Sequence, residues 1–279
     1  KLTVRSGAGD HLAGALAPWL RVNNDALTSL DLYRNTIGDE GAKAIGDALR
    51  VNSVLTSLNL AGDRYSIAGR IGPEGAKAIA EALKVNSVLT ALDLSNNDLG
   101  DEGAKAIGDA LHVNSVLTSL DVGFNKLTEE AALGIVRAAR QQDKMASLGL
   151  ASCKIGPSGA QEIADYVRVS SVLTSLDTRG NRIDGETAQQ LAAAVLGSAS
   201  LEVFGEVPIK QLRADALTEL NLSCKFLGPT EGIVLTELVG VSSVLTSLNL
   251  EYNLIGDGTA ALREIANGRP SLTLELYGN

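Results

Sequence analysis

Few residues in this 279-residue chain stand at spacings that could do chemistry. Its two histidines, His11 and His112, lie far apart. Neither has a cysteine or second histidine at ligand spacing, so a zinc site is not expected. The two cysteines, Cys153 and Cys224, are too few for a disulfide scaffold. No G-x-S-x-G, P-loop or dinucleotide fingerprint occurs, and the Gly-rich "SGAGD" lacks the strand before and Lys-Ser/Thr after that a phosphate cradle needs. What remains is a row of carboxylates. Asp31, Asp93, Asp121 and Asp177 occupy the same position of a recurring motif, with Asn59, Gly149, Asn221, Asn249 and Glu275 elsewhere in that column. Adjacent carboxylates can share a cation or attract a basic ligand. A flat row converges too few oxygens for a divalent metal. The expectation is an exposed negative stripe, with no metal, no cofactor and no catalytic group.

The motif that places them returns almost unchanged: "VNSVLTSLNL" (51–60), "VNSVLTALDL" (85–94), "VNSVLTSLDV" (113–122), "VSSVLTSLDT" (169–178) and "VSSVLTSLNL" (241–250). Units start at Leu27, Leu55, Leu89, Leu117, Met145, Leu173, Leu217 and Leu245, and most read L-x-x-L-x-L-x-x-N. "LTSLDL" (27–32) alternates at period two, as a short strand does. "DEGAKAIGDALR" (39–50) puts Ala42, Ile45, Ala48 and Leu49 on one helical stripe. Asp39 sits where an N-cap belongs, and Pro73, Pro157 and Pro229 take the following slot in other units. Each unit is therefore strand, turn, helix and return. Neighbouring strands sit about 4.8 Å apart, whereas packed helices need about 8–10 Å, so stacked units bend with strands inside. Gly41, Gly75, Gly103, Gly159 and Gly232 would let each helix approach its neighbour. At the ninth position Asn35, Asn97, Asn125, Asn181 and Asn253 can donate to and accept from the turning backbone, with Asp63, Cys153 and Lys225 as exceptions.

Units of this length and wording resemble leucine-rich repeats of the ribonuclease-inhibitor type, over roughly residues 20–279. "KVNSVLTALDLSNNDLGDEGAKAIGDAL" (84–111) is similar to arrays common in unicellular eukaryotes. The resemblance implies an α/β leucine-rich repeat solenoid, a horseshoe arc with a parallel sheet on the concave face and α-helices on the convex face. It also fits Cys153 at a ladder position, and it implies that the chain binds other proteins.

The departures set the expected organisation of one continuous array. Residues 1–25 read as a capping half-repeat with Trp19 and Leu20 facing inward. Residues 26–200 are regular repeats with an insertion near 64–69, either a tolerated loop or a binding loop carrying Arg64 and Tyr65. Residues 201–216 form a short repeat with no room for a helix, a structural joint. Residues 217–279 are further repeats without a C-terminal cap, ending on a strand that either missing residues or a partner would cover. At three strands apart, Cys153 and Cys224 should stay unpaired, and Cys153 should be buried.

Columns seven and eight of the motif vary most: Tyr33 with Arg34, Phe124, Arg179, Glu251 with Tyr252, and Tyr277. Interfaces favour Tyr and Arg on rigid platforms. The candidate contact surface is therefore Asp31, Tyr33, Arg34, Asp93, Asp121, Phe124, Asp177, Arg179, Glu251 and Tyr252, with Arg64 and Tyr65 at the rim. A net charge of −9 and 3% aromatic residues disfavour nucleic acid. They suit a basic protein partner or a larger multi-subunit assembly. No apolar run reaches the ~18 residues of a membrane helix. The low cysteine count favours a reducing, intracellular and cytoplasmic setting, although the chain opens on Lys1 and a removed targeting segment would leave no trace. The expected function is a non-catalytic interaction scaffold. Two alternatives are a small-GTPase activator using Arg34 or Arg179, and the ligand-sensing repeats of a larger receptor-like protein.

Overall fold

The structure is a computed structural model that describes residues 1–4, 9–22 and 27–278, with the backbone alone for 9–13. His11 and residues 5–13 and 23–25 of the expected N-terminal half-repeat fall outside the described side chains. The chain divides into two compact units, Lys1–Lys154 and Ile155–Asn279, a division that falls inside a repeat rather than at 201–216.

Unit 1 runs β1 (Leu2–Thr3), α1 (Gly9–Arg21), β2 (Ser29–Asp31), α2 (Gly38–Leu49), β3 (Ser57–Asn59), α3 (Pro73–Leu83), β4 (Ala91–Asp93), α4 (Gly100–Leu111), β5 (Ser119–Asp121), α5 (Glu129–Gln142) and β6 (Ser147–Gly149). Its strands pair in chain order, all parallel, and each motif leucine meets its equivalent: Leu30 with Leu58, Leu58 with Leu92, Leu92 with Leu120 and Leu120 with Leu148. The middle residue of β2, β3, β4, β5 and β6 is buried between two half-exposed ones in most cases, the period-two pattern the sequence predicts. Helices α1 to α5 pack each on the next. The half-repeat contains a strand the sequence did not announce, with Leu2 opposite Leu30. Leu20 is buried as expected, but Trp19 is exposed. Ala17 and Leu20, three apart, mark the inward face of α1, and Trp19 lies off that face.

The predicted cap at Asp39 acts elsewhere. Helix α2 begins one residue before it, at Gly38, and the Asp39 carboxylate instead accepts from Gly72 N at 2.7 Å and Gly75 N at 2.8 Å. Those amides open α3, whose own N-cap is Gly72 and has no side chain to offer. Asp101 does the same two repeats on, accepting from Thr128 N at 2.8 Å. Gly75 has a positional reason as well: a Cβ there would stand 2.7 Å from that carboxylate and 2.9 Å from the Ala42 methyl.

Unit 2 contains α6 (Pro157–Val169), β7 (Ser175–Asp177), α7 (Gly185–Gly197), β8 (Val203–Phe204), α8 (Ile209–Arg213), β9 (Glu219–Asn221), α9 (Pro229–Val241), β10 (Ser247–Asn249), α10 (Gly258–Gly268) and β11 (Thr273–Glu275). Strands β9, β10 and β11 form a parallel three-stranded sheet, and β7 pairs parallel with β8. The 201–216 repeat corrects the expectation of a helix-less joint. After β8 the chain reverses at Gly205 (φ +58), Phe204 and Val207 bond back to each other, and α8 makes one turn that buries Ile209 and Leu212. One turn presents two apolar residues three apart, and that suffices to close the space. Full-length α7 and α9 then pack directly on one another.

Candidate functional site

The column of carboxylates is spent on turning the chain. Asp31 accepts from Tyr33 N at 3.1 Å, Asp93 from Ser95 N at 2.9 Å, Asp121 from Gly123 N at 2.8 Å and Asp177 from Arg179 N at 3.0 Å. Asn59, Asn221 and Asn249 make the same bond two residues on. This is the side-chain-to-backbone turn that Asp and Asn favour, and it ends each strand. The four aspartates are therefore half-buried, not exposed as the sequence suggested. Burial pushes the Asp93 carboxyl above its ordinary range, and the charge of Asp31 adds to the effect. Asp121 leans over Gly149, the next position in register, where any Cβ would strike its carboxylate. Among the described residues no three His, Cys, Asp or Glu side chains converge as a metal site would require.

The turns lift the residues after them onto a rim. Arg34 (φ +61), Phe124 (φ +59) and Tyr252 (φ +56) are all left-handed, a conformation that costs a bulky side chain of order 1 kcal/mol or more. Their N–H groups bond to Ala61 O, Ala151 O and Tyr277 O respectively, which carries the inter-repeat bonding past the strand ends.

In unit 1 five of the sequence-predicted contact residues meet. The Arg34 guanidinium lies 4.9 Å from the Tyr33 ring and 5.6 Å from the Tyr65 ring. Arg64 lies 5.5 Å from Tyr65 and 5.9 Å from Phe124. Rings and cations thus alternate as Tyr33, Arg34, Tyr65, Arg64 and Phe124, drawn from separate repeats. The insertion joins them, and Asp63 anchors its base by pairing with Arg34 at 3.5 Å and accepting from Tyr65 N at 2.9 Å. Tyr65 and Ile67 are more than four-fifths exposed at its tip.

Unit 2 does not gather its candidates in this way. Arg179 is 14% exposed rather than free on the surface. It pairs with Asp177 at 2.7 Å and Glu206 at 3.2 Å and donates to Lys225 O at 2.8 Å. It therefore ties the short repeat to its neighbours. Tyr252 stacks edge-on against Tyr277 at 5.4 Å, and Glu251 is half-buried beside Asn249. Below Arg179, Glu231 is buried with Oε2 accepting from Gly228 N at 2.9 Å and Oε1 without a partner. Burial, helped by the charge of Asp177, pushes its carboxyl up to about 7 against the pull of Arg179.

A leucine-rich repeat family model matches residues 23–46, 85–108, 113–136 and 144–164. The matched segments are leucine-rich repeats, and the parallel strand–helix units have the architecture such repeats build. No curated protein matches the sequence. Among solved structures it is similar to the actin-binding site 2 of leiomodin-1, at 21% identity over 64% of this chain and 85% of that one, TM-score 0.41. The tropomodulin C-terminal domain of Caenorhabditis elegans is 11% identical over 55% and 90%, TM-score 0.47. The leucine-rich repeat protein LegL7 of Legionella pneumophila is 20% identical over 93% and 77%, TM-score 0.47.

The leucine-rich repeat ladder at position nine behaves as its residue type predicts. Asn97 donates to Leu60 O at 2.9 Å and accepts from Ile71 N at 3.0 Å, and Asn253 donates to Leu222 O at 2.9 Å and accepts from Leu227 N at 3.0 Å. Cys153 is buried at its ladder position and Cys224 is exposed, both as free thiols. Sequence reasoning missed a second ladder. Asn86 donates to Leu49 O at 2.7 Å and accepts from Val88 N and Leu89 N; Asn52 and Asn114 repeat the pattern. In unit 2 Ser170, Ser198 and Ser242 stand there and accept only at 3.2 Å from Leu173 N, Leu201 N and Leu245 N. The recurrence of "VNSVLT" at Asn52, Asn86 and Asn114 is the signal, and it lies outside the strand motif.

Proposed function

We propose that this chain is a non-catalytic interaction scaffold that seats a partner protein on the aromatic–guanidinium rim of unit 1. One observation carries the reading: Tyr33, Arg34, Tyr65, Arg64 and Phe124 form a single stacked row although the sequence scatters them over 92 positions, 33 to 124. Stacked guanidinium groups keep their in-plane N–H edges for acceptors, and rings fixed on a rigid platform lose little entropy on binding. The half-buried Asp31, Asp93 and Asp121 lie beside the row on the sheet face, so basic residues of the partner would face the sheet while its acidic groups meet the rim. Membership of an assembly uses the same surface. The 28-residue unit supports the ribonuclease-inhibitor-like grouping. A GTPase-activating role loses support at Arg179, which is already bonded on three sides. Immobilised wild-type chain and an Arg64→Ala/Tyr65→Ala variant should be compared by quantitative mass spectrometry of proteins captured from the native source. At least one captured protein should drop tenfold or more with the variant, at unchanged circular dichroism. Equal capture of every protein sinks the reading.

A further inference from the structure

The short repeat of unit 2 leaves a notch in the rim. At three junctions between full repeats the carbonyl at motif position eleven accepts from the N–H at position ten of the next repeat; among the described residues the Leu99 and Leu127 carbonyls make no such bond. Asp98 N donates to Ile71 O, Arg182 N to Ile155 O, and Leu254 N to Leu227 O. At the short repeat the chain reverses at Gly205 and enters α8 without making this loop. The Ile183 carbonyl, next in the series, receives no hydrogen bond among the described residues. A groove of about 540 Å³ opens there, between the 180–184 loop and the 226–229 loop, with Tyr252 and Leu254 along its far side.

A second observation comes from the sequence around the groove. Position ten is polar in the other full repeats: Thr36, Arg64, Asp98, Lys126, Lys154 and Arg182. At the two that border the groove it becomes Phe226 and Leu254, which are 49% and 75% exposed. A left-handed Phe226 (φ +60) pays for its place in backbone strain and still faces water. A third concerns charge. The Arg182 side chain has no partner among the described residues and stands on the near wall with Asp184.

We propose that this groove binds an extended segment of a partner protein that takes the place of the missing rim loop. The missing loop defines the occupant: a backbone N–H for Ile183 O, followed by a Leu, Ile or aromatic anchor against Phe226, Pro229 and Leu254. An acidic residue of the segment pairs with Arg182. The groove belongs to unit 2 and shares no residue with the unit 1 row, so either can fail alone.

The test is panning of a random dodecapeptide display library on the full chain, with counter-selection on a Phe226→Asp/Leu254→Asp variant. Both substitutions lie at exposed positions, so the variant should fold, as circular dichroism checks. Enriched peptides should carry a large aliphatic or aromatic residue next to an acid. Their affinity should fall tenfold or more with Leu254→Asp and at least threefold with Arg182→Glu, and should not change with Arg64→Ala/Tyr65→Ala. The proposal is overturned if no peptide is enriched over the variant, if enriched peptides bind wild type and Leu254→Asp alike, or if they carry bases in place of acids.

Discussion

At the scale of single residues, the polar interior carries the strongest consequences. Asn86 satisfies two backbone N–H groups and the carbonyls of Leu49 and Asn52 from a buried position. Asn86→Ala leaves these groups dry, and a cost of about 3 kcal/mol is expected, read as a lower urea midpoint. Ser170→Ala should cost less, because the hydroxyl accepts at 3.4 and 3.2 Å from Val172 N and Leu173 N. Glu231 makes stability depend on pH. Its carboxyl titrates at about 7 in the folded chain, above the ordinary 4.5, so the folded state holds the proton more tightly than the unfolded one. Stability is therefore full below about 4.5 and is lost as pH rises towards 7, by roughly 3 kcal/mol over the window. Asp93 shifts in the same direction, so the informative quantity is the difference between wild type and Glu231→Gln. The two should match near pH 4.5, and the variant should be the more stable at pH 8. A constant difference between those pH values removes the assignment.

At the scale of elements, capping passes from repeat to repeat. Asp39 supplies to α3 the acceptor that Gly72 lacks, so Asp39→Ala should destabilise by about 1 kcal/mol. Gly72 has ordinary extended backbone (φ −93), and Asp39→Ala/Gly72→Ser should recover most of the loss with a local cap. If the double variant is no better than the single, the two bonds to Asp39 are not what stabilises the start of α3. This exchange bears on what the sequence could tell. Period two in "LTSLDL" and period 3.6 in "DEGAKAIGDALR" place strands and helices because local burial patterns dictate them. The direction of the Asp39 side chain depends on the next helix, which no local pattern contains. The same holds at the candidate sites. Tyr33, Arg34 and Phe124 were legible as variable residues on a constant scaffold. Their junction through Tyr65 depends on how an insertion folds. The burial of Arg179 was not legible, because one of the two acids that pair with it, Glu206, sits in the short repeat that departs from the motif.

At the scale of the molecule, repetition makes stability a sum of neighbour terms instead of one central core. The two thiols report on this without added labels. Cys224 is exposed and should react with a thiol reagent at once, whereas Cys153, buried in unit 1 with Sγ 3.6 Å from Ala151 O, must wait for an opening. An opening that costs even 4 kcal/mol slows that reaction by about 10³-fold. Asn86 lies in the same unit, two repeats before the turn that holds Cys153. Were unit 1 to open only as a whole, a 3 kcal/mol defect at Asn86 would reach Cys153 undiminished and speed its labelling by about 100-fold. Were each repeat to open alone, the rate would not change. Stacked strands in register and helices packed each on the next couple neighbours strongly but distant repeats only through those between. The expected result is therefore a speed-up well short of 100-fold with Asn86→Ala, and a larger one with Asn114→Ala, one repeat nearer. Equal acceleration by both variants would show a single cooperative block, and the picture of a stack held by neighbour contacts would have to be given up.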